Sequence, residues 1–241
     1  MAESSPSAFV RPGFDWRSAA AYLFDIDGTL LNTRDAVHYF SFRNAMRDVV
    51  GVEATIEGVP VHGNTDVGIL RAVLRREGLS DAAIDSRLSE IIERMCAEVQ
   101  RNQEQLSPEL CPSILPLLTR LRGSGKVLGV VSGNLETIGW LKLEKAGVKP
   151  LFSFASFSHP RELRVDIFRQ GVALACDFIG RNNAVTIVGD TPADIEAARA
   201  IGVPIIAFAT GTYNFAELLA CGPDACFQCA TDLLGYEPRN P

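Results

Sequence analysis

The feature that most constrains this chain is a short apolar run that ends on two aspartates. Residues 21–24 read AYLF, and Asp25 and Asp27 follow, one residue apart, before a Gly-Thr pair ends the run. Such a pattern is typical of a buried strand that ends in a loop. Because alternate strand residues point the same way, the two carboxylates converge if the extended geometry continues past residue 24. They repel each other unless a cation or a shared proton lies between them, and Mg²⁺ is a suitable cation.

Two sequence patterns, one helical and one typical of strands, alternate along the second half of the chain. Helical patterns separate apolar runs of strand length, which lie at 127–131, 151–157, 184–188 and 204–208. This alternation predicts an α/β fold with a doubly wound parallel sheet that is buried on both faces. Ligands of such sheets bind at the carboxyl ends of the strands. Ser132 and Asp190 each follow a predicted strand, as Asp25 and Asp27 do, so we expect these four residues at one edge of the sheet.

A helical insert separates the first strand from the rest of the predicted sheet. Helical spacing of apolar residues covers 35–50 and 66–77, and Ser80 is a suitable N-cap for a longer helix that runs toward residue 105. The insert contains no convincing strand. The first 18 residues are polar and rich in Ser and Pro, which predicts a loose N-terminal arm.

The composition excludes several classes of protein. The chain has 241 residues, of which 47% are hydrophobic, with a net charge of −6 and a pI near 5.2. A general positive field for nucleic acid or anionic membranes is therefore not expected. The six cysteines are scattered, and we find neither a leader pattern nor a run of membrane-spanning length. We expect a cytoplasmic protein with reduced thiols, and the sequence leaves its oligomeric state open.

Three segments together resemble the haloacid dehalogenase (HAD) superfamily of hydrolases. The segments are FDIDGTL at residues 24–30, VSGN at 131–134 and VGDTPADIEAA at 188–198. The resemblance covers roughly residues 20–234 and implies a Rossmann-like core over 19–32 and 109–241. It also implies that the insert, residues 33–108, is a helical C1 cap, a name we keep for that segment. GNTD at 63–66 is similar to the cap hinge of phosphoglycolate-phosphatase-like members.

The third motif of the superfamily is where this chain departs from the pattern. Members usually carry a Lys before a helix, but residues 158–168 read SHPRELRVDIF and contain no Lys. Arg164 resembles the Arg of members that have Arg-x-x-Leu/Ile there, and we rank it ahead of Arg161. The alternative is that both arginines are solvated surface residues and that the cation comes from elsewhere.

The resemblance implies phosphomonoester hydrolysis through an aspartyl-phosphate, with Mg²⁺ as cofactor. Asp25 would attack phosphorus, and Asp27 would protonate the leaving alcohol and then deprotonate water. Asp25, Asp190, the main-chain carbonyl of Asp27 and, directly or through water, Asp194 would hold the metal. The alternative for Asp194 is a capping acid near the start of a helix.

The same resemblance implies a set of residues around the phosphate. The Ser132 hydroxyl and the backbone amides of Gly133 and Asn134 would donate hydrogen bonds to phosphate oxygens. Arg164 would supply a fixed positive charge. Thr29 would orient Asp27 or its loop.

Three functions remain open at this point. The first is a phosphatase acting on a small phosphorylated metabolite, with phosphoglycolate as the leading substrate, and the second is a phosphomutase of the β-phosphoglucomutase type. The third is a vestigial, non-catalytic module that binds a phosphometabolite. We expect a structural role for His62 in the hinge loop rather than substrate contact, and a packing role for His38 and Tyr39 in the cap. No nucleic-acid or membrane partner is expected.

Overall fold

A seven-stranded sheet organises the molecule, and the first strand after the N-terminal segment lies near its middle. The computed structural model describes residues 7–237. The strands are β1 (Ala8–Val10), β2 (Ala21–Phe24), β3 (Leu31–Thr33), β4 (Pro108–Leu110), β5 (Val127–Val131), β6 (Phe154–Ser156), β7 (Val185–Gly189), β8 (Ile205–Phe208) and β9 (Ala225–Phe227). The main sheet has the order β1-β9-β8-β7-β2-β5-β6, parallel except that β1 is antiparallel to β9. The predicted α/β fold with a doubly wound parallel sheet is confirmed.

Helices follow the strands of the main sheet and form the cap. They are α1 (Val37–Val50), α2 (Asp66–Arg76), α3 (Asp81–Arg101), α4 (Ile114–Gly123), α5 (Glu136–Lys145), α6 (Arg164–Ile179), α7 (Pro192–Ile201), α8 (Phe215–Ala220) and α9 (Ala230–Gly235). In the described part of the chain, no helix is long and apolar enough to cross a membrane. The six cysteines all lie there and none is in a disulfide.

The short strand β2 is buried on both faces of the sheet. Tyr22 and Phe24 point into one apolar cluster, and Ala21 and Leu23 point into another on the opposite face. Each of these side chains has at most 1% of its surface exposed. This two-sided burial is expected of a central parallel strand, and it holds the loop after β2 in a fixed position.

The cap has an apolar core of its own. Residues from α1, α2 and α3 form a third cluster, which also includes Leu135 and Ile138 near the start of α5. Thr65 and Ser80 cap α2 and α3, since their hydroxyls accept hydrogen bonds from Gly68 N and Ala83 N. The predicted N-cap at Ser80 is therefore confirmed, although its helix ends at Arg101 rather than near residue 105.

Two short elements differ from the sequence expectation. The predicted loose arm over residues 1–18 contains β1, which pairs with β9, and Trp16, which is 3% exposed; apolar packing against the core overrides the polar composition. The part of the arm before residue 7 lies outside the described residues. Strands β3 and β4 pair with each other where the chain enters and leaves the cap, with Thr33 opposite Pro108. Neither of these three-residue strands has an apolar pattern that would predict it from the sequence. They are strands because they pair with each other, although the whole cap separates them in the chain.

Candidate active site

Acidic and polar side chains from three neighbouring strands meet at the carboxyl edge of the sheet. Asp25 follows β2, and its backbone N–H donates to Val188 O at 3.0 Å, so the extended geometry continues into the loop. Ser132 follows β5 on one side of β2, and Asp190 follows β7 on the other. All three side chains are buried. The sheet topology therefore brings together residues that lie more than 150 positions apart in the chain.

Three buried carboxylates form a compact cluster here. Asp25, Asp190 and Asp194 each place one carboxylate oxygen so that the three oxygens lie within 4.8 Å of one another. Asp25 Oδ1 is buried and has no hydrogen-bond partner among residues 7–237. Hard, oxygen-rich donor sets of this kind suit a divalent cation such as Mg²⁺ or Mn²⁺. These residues therefore have the chemistry of a divalent-metal site.

Two glycines make room for the Asp190 carboxylate. A Cβ atom placed on Gly28 would lie 2.1 Å from Asp190 Oδ2, and one on Gly211 would lie 1.9 Å from the same oxygen. Gly28 also has a φ of +85°, a conformation that residues with a Cβ rarely adopt. Any larger residue at either position would displace a carboxylate of the cluster.

Burial raises the pKa of two of these carboxyls. Burial raises the pKa of Asp25 to about 6; the nearby Asp194 acts in the same direction, and Arg164 opposes both. Burial, Asp194 and Asp25 together raise the pKa of Asp190 well above its ordinary value. Ionising these carboxyls together is therefore unfavourable, and a bound cation would stabilise their charged forms.

Thr29 contacts a different acid from the one expected. Its hydroxyl donates to Asp190 Oδ1 at 2.9 Å, and its side chain is fully buried. Among residues 7–237, the Thr29 hydroxyl makes no hydrogen bond to Asp27, and the expectation that Thr29 orients the loop stays a prediction. The reason for the contact with Asp190 is the turn after β2, in which Gly28 reverses the chain and directs residue 29 toward the loop after β7.

Arg164 is the cation nearest to Asp25. Its Nη1 lies 3.4 Å from Asp25 Oδ2 and also pairs with Asp194 Oδ1, while its Nε donates to Gly63 O at 2.8 Å. The first residue of α6 thereby joins the acidic cluster to the hinge of the cap. Within residues 7–237, the Arg161 side chain makes no hydrogen bond or ion pair. The geometry therefore favours Arg164 over Arg161 as the charge beside Asp25.

Asp194 has both of its carboxylate oxygens engaged. Oδ2 accepts hydrogen bonds from Thr191 N at 3.0 Å and Thr191 Oγ1 at 2.7 Å, and Oδ1 pairs with Arg164. With Thr191 as N-cap, Asp194 completes a capping box at the start of α7. These contacts suit a residue that holds Arg164 and the Asp190 loop in place.

The hinge of the cap packs directly on the loop that contains Ser132. Asp66 N donates to Gly133 O at 2.7 Å, and Asp66 Oδ2 accepts from Leu135 N at 2.8 Å. A Cβ on Gly133 would lie 2.3 Å from Asn64 O, so the approach requires glycine. A cavity of about 90 Å³ remains between the hinge and the sheet edge, with Asp25, Ser132, Asn134 and Arg164 among its lining residues.

Lys142 is a residue of this site that sequence reasoning missed. It lies on α5 with 2% of its surface exposed, and its Nζ lies 2.9 Å from each Asp27 carboxylate oxygen and from Asn134 Oδ1. Burial alone would raise the pKa of Asp27, but the Lys142 ammonium, with hydrogen bonds from Asn134 and Lys142, holds that pKa below its ordinary value. A signal was available, because Lys142 is four residues after Ile138, on the apolar face of its helix. A lysine on such a face needs a buried partner.

A larger cavity of about 580 Å³ lies on the other side of Asp27. Its walls include His38, Tyr39 and His62, three residues for which we expected packing or structural roles. His38 has such a role, since its ring stacks on Phe42 and its Nε2 lies 3.1 Å from Asp66 Oδ2. All three nevertheless border the space next to the predicted acid/base residue, because the cap folds back over the edge of the sheet.

Known proteins resemble this chain over most of its length. Residues 22–208 match the family of haloacid dehalogenase-like hydrolases. Phosphoglycolate phosphatase of Synechococcus elongatus is 29% identical over 221 residues, which are 89% of this chain and 95% of that protein.

Solved structures share the fold. A predicted phosphoglycolate phosphatase from Haemophilus somnus superposes with a TM-score of 0.64 and 21% identity over 90% of this chain and 97% of that one. CbbY from Rhodobacter sphaeroides, in complex with phosphate, superposes with a TM-score of 0.66 and 19% identity over 89% and 96%. The family match spans most of the chain and includes all three segments on which the resemblance was based. This chain therefore belongs to the family of haloacid dehalogenase-like hydrolases.

Proposed function

We propose that this protein is a Mg²⁺-dependent phosphatase that hydrolyses a small phosphorylated metabolite through an aspartyl-phosphate on Asp25. The observation that carries the proposal is the position of Asp25. Its carboxylate is buried between Arg164 and Asp190 on the wall of a cavity of about 90 Å³, and one of its oxygens has no hydrogen-bond partner within residues 7–237. A nucleophilic carboxylate needs a free oxygen and neighbouring positive charge.

The two half-reactions use Asp25 and Asp27 in turn. A carboxylate oxygen of Asp25 forms a bond to phosphorus as the bond from phosphorus to the leaving alcohol breaks, and Asp27 gives its proton to that alcohol. A water molecule then attacks phosphorus, and Asp27 takes a proton from it as the bond to Asp25 breaks. Inorganic phosphate leaves, and both carboxyls return to their starting states.

The charge balance explains why the site needs cations. At an intermediate effective dielectric, each close pair of like charges about 4 Å apart costs on the order of 4 kcal/mol, so a phosphate dianion cannot approach Asp25 and Asp190 unaided. Mg²⁺ held by Asp25, Asp190 and the Asp27 main-chain carbonyl would offset this repulsion and polarise a phosphate oxygen. Arg164 supplies a second, permanent charge, and Ser132 and the Gly133 and Asn134 amides supply hydrogen-bond donors. We assign Asp194 to the support of Arg164.

The substrate class follows from the two cavities and from the relatives. The smaller cavity beside Asp25 suits a phosphoryl group, and the larger one beside Asp27 suits the leaving alcohol. Phosphoglycolate is the first substrate to test, because a relative that this chain covers almost completely is named a phosphoglycolate phosphatase.

The test is phosphate release by the purified chain from a panel of phosphomonoesters that includes phosphoglycolate, with Mg²⁺ and with EDTA. We expect Mg²⁺-dependent release that Asp25→Asn abolishes while the fold is retained. Asp81→Asn, which changes an exposed carboxylate of the cap, is the matched control and should retain full activity. Acid-quenched wild-type protein should carry one phosphoryl group on Asp25.

Three outcomes would contradict the proposal. Full activity of Asp25→Asn would exclude the assigned nucleophile. Conversion of a sugar phosphate into an isomer without release of phosphate would indicate a phosphomutase. Absence of Mg²⁺-dependent release across the whole panel would indicate a binding module.

A further inference from the structure

We propose that Lys142 is a positioning residue of this site: with Asn134, it holds the Asp27 carboxylate in the orientation that delivers a proton to the leaving oxygen. The inference rests on the proposed function. It goes beyond the predicted set of site residues, which contains no residue of α5. The carrying observation is a closed group of hydrogen bonds behind the exposed face of Asp27.

The Lys142 ammonium uses its full donor capacity in this group. An ammonium has three N–H donors, and Nζ lies 2.9 Å from each of three acceptors: Asp27 Oδ1, Asp27 Oδ2 and Asn134 Oδ1. Because two of them are the oxygens of one carboxylate, the contact opposes rotation of the Asp27 carboxylate about its χ2 bond.

Asn134 connects Asp27 to the phosphate-binding side of the site. Its Oδ1 accepts from Lys142, so its amide nitrogen faces the other way. That nitrogen donates to Asp27 Oδ2 at 2.7 Å and to Ser132 Oγ at 2.9 Å. Lys142 therefore selects the amide orientation that lets one side chain contact both Asp27 and Ser132. The expected position of the phosphate and the orientation of the acid/base carboxyl are thus set by the same group.

Lys142 is buried, whereas its partner Asp27 is partly exposed. This difference favours a role for the ion pair in the reaction rather than in the stability of the fold. The Lys142 side chain is 3% exposed, whereas the Asp27 side chain is 43% exposed and borders the larger cavity. Buried ion pairs add little net stability, since burial of the charges offsets their attraction. A Met of similar length at position 142 leaves Asp27 in contact with solvent, so we expect Lys142→Met to fold.

Positioning of a proton donor has a specific kinetic signature. An alkyl phosphate needs a proton on its leaving oxygen, whereas p-nitrophenolate leaves without one. Misplacement of a catalytic group by about 1 Å lowers a rate by roughly 100-fold when that group is needed. Loss of Lys142 should therefore slow formation of the aspartyl-phosphate selectively from the alkyl ester. Hydrolysis of the aspartyl-phosphate, in which Asp27 takes a proton from water, is common to both esters and should slow equally for both.

The experiment compares phosphoglycolate and p-nitrophenyl phosphate as substrates of the full chain with Mg²⁺. For Lys142→Met we expect the single-turnover rate of aspartyl-phosphate formation, measured by rapid acid quench, to fall by about 100-fold with phosphoglycolate and by less than about 3-fold with p-nitrophenyl phosphate. Lys149→Met, at a half-exposed lysine that pairs with Glu144, is the control and should change neither rate. Circular dichroism and thermal melting establish that each variant is folded.

A second variant tests whether Lys142 acts through Asp27. Asp27→Asn should show the same substrate selectivity in aspartyl-phosphate formation, and adding Lys142→Met to Asp27→Asn should not slow that step further. Equal losses in the rate of aspartyl-phosphate formation from both substrates in Lys142→Met, additive losses in the double variant, or an unchanged rate of that step with phosphoglycolate would each overturn the role of Lys142. A folded wild-type chain that hydrolyses neither ester would instead overturn the proposed function, and this role with it.

Discussion

The acidic edge of the sheet and the cap wall of the larger cavity face the same space but are built differently. At the sheet edge, Asp25 and Asp190 are buried with carboxylate oxygens within 4.8 Å of each other, and Arg164 Nη1 lies 3.4 Å from Asp25 Oδ2. On the cap wall, Tyr39 is half-buried and His62 is exposed. Among residues 7–237, the Tyr39 side chain makes one polar interaction, with Glu57, and the His62 side chain makes one, with Thr212.

This difference separates two tasks. A reaction step needs groups held within a fraction of an ångström, which strand ends anchored on both faces provide. Recognition of a leaving group tolerates a wall of adjustable side chains, and such walls lie on loops and helix faces. We therefore expect changes at the sheet edge to affect all substrates strongly and changes at the cap wall to affect particular substrates weakly. Substitutions at Arg164 and at the cap wall, together with removal of the metal, test this comparison.

The largest effect is expected at Arg164. Arg164→Met removes the charge beside Asp25 and leaves Asp194 buried without its partner. We expect kcat/KM to fall by about 100- to 1,000-fold on every substrate and stability to fall by about 3–5 kcal/mol. Steady-state kinetics and chemical unfolding measure the two losses. Arg161→Met is the matched control, for which less than about a 3-fold change is expected. A larger loss in Arg161→Met than in Arg164→Met would reverse the choice between the two arginines.

The second prediction concerns pH and metal removal. Without a cation, the pKa of Asp25 is raised from 3.8 to about 6, and that of Asp190 is raised as well. A carboxyl with a raised folded-state pKa contributes stability at low pH that is lost as the pH rises through about 6. Chelated protein should therefore lose about 2 kcal/mol between pH 4 and pH 7 from Asp25 alone.

Thermal melting with Mg²⁺ and with EDTA checks this expectation. The gain in Tm from Mg²⁺ should be several degrees larger at pH 8 than at pH 5, because at pH 5 the ion must displace protons. In Asp190→Asn this dependence on pH should nearly vanish. An equal gain from Mg²⁺ at both pH values would argue against a metal site between Asp25 and Asp190.

The smallest effects are expected at the cap wall. His62→Ala and Tyr39→Phe should change kcat/KM by less than about 10-fold, mainly through KM, and by different factors for different leaving groups. The ratio of kcat/KM values across the phosphomonoester panel is the measurement. Phe40→Ala, at an exposed neighbour of Tyr39 that does not line the larger cavity, should leave the ratios unchanged. Losses above about 100-fold on every substrate would show that the two regions do not differ as proposed.

The local sequence pattern predicted structure correctly where a residue's environment depends mainly on its neighbours in the sequence. Apolar runs that end on Asp25, Ser132 and Asp190 predicted the sheet and the edge at which these residues meet. Ser80 caps α3, as its own segment predicted. The arm was predicted less well, because its polar composition does not reveal that β1 pairs with β9, more than 200 residues away.

Contacts of the site that join distant segments were decided only by the tertiary structure. Lys142 meets Asp27 across 115 positions, and Thr29 meets Asp190 across 161. Sequence alone determined that Asp25 and Asp190 would meet at one edge of the sheet, since the carboxyl ends of neighbouring parallel strands lie side by side. Sequence did not determine which basic side chain or hydroxyl contacts which carboxylate. Those contacts depend on the angles at which helices and loops cross the edge of the sheet. Such angles follow from the packing of the whole chain and have no local signature.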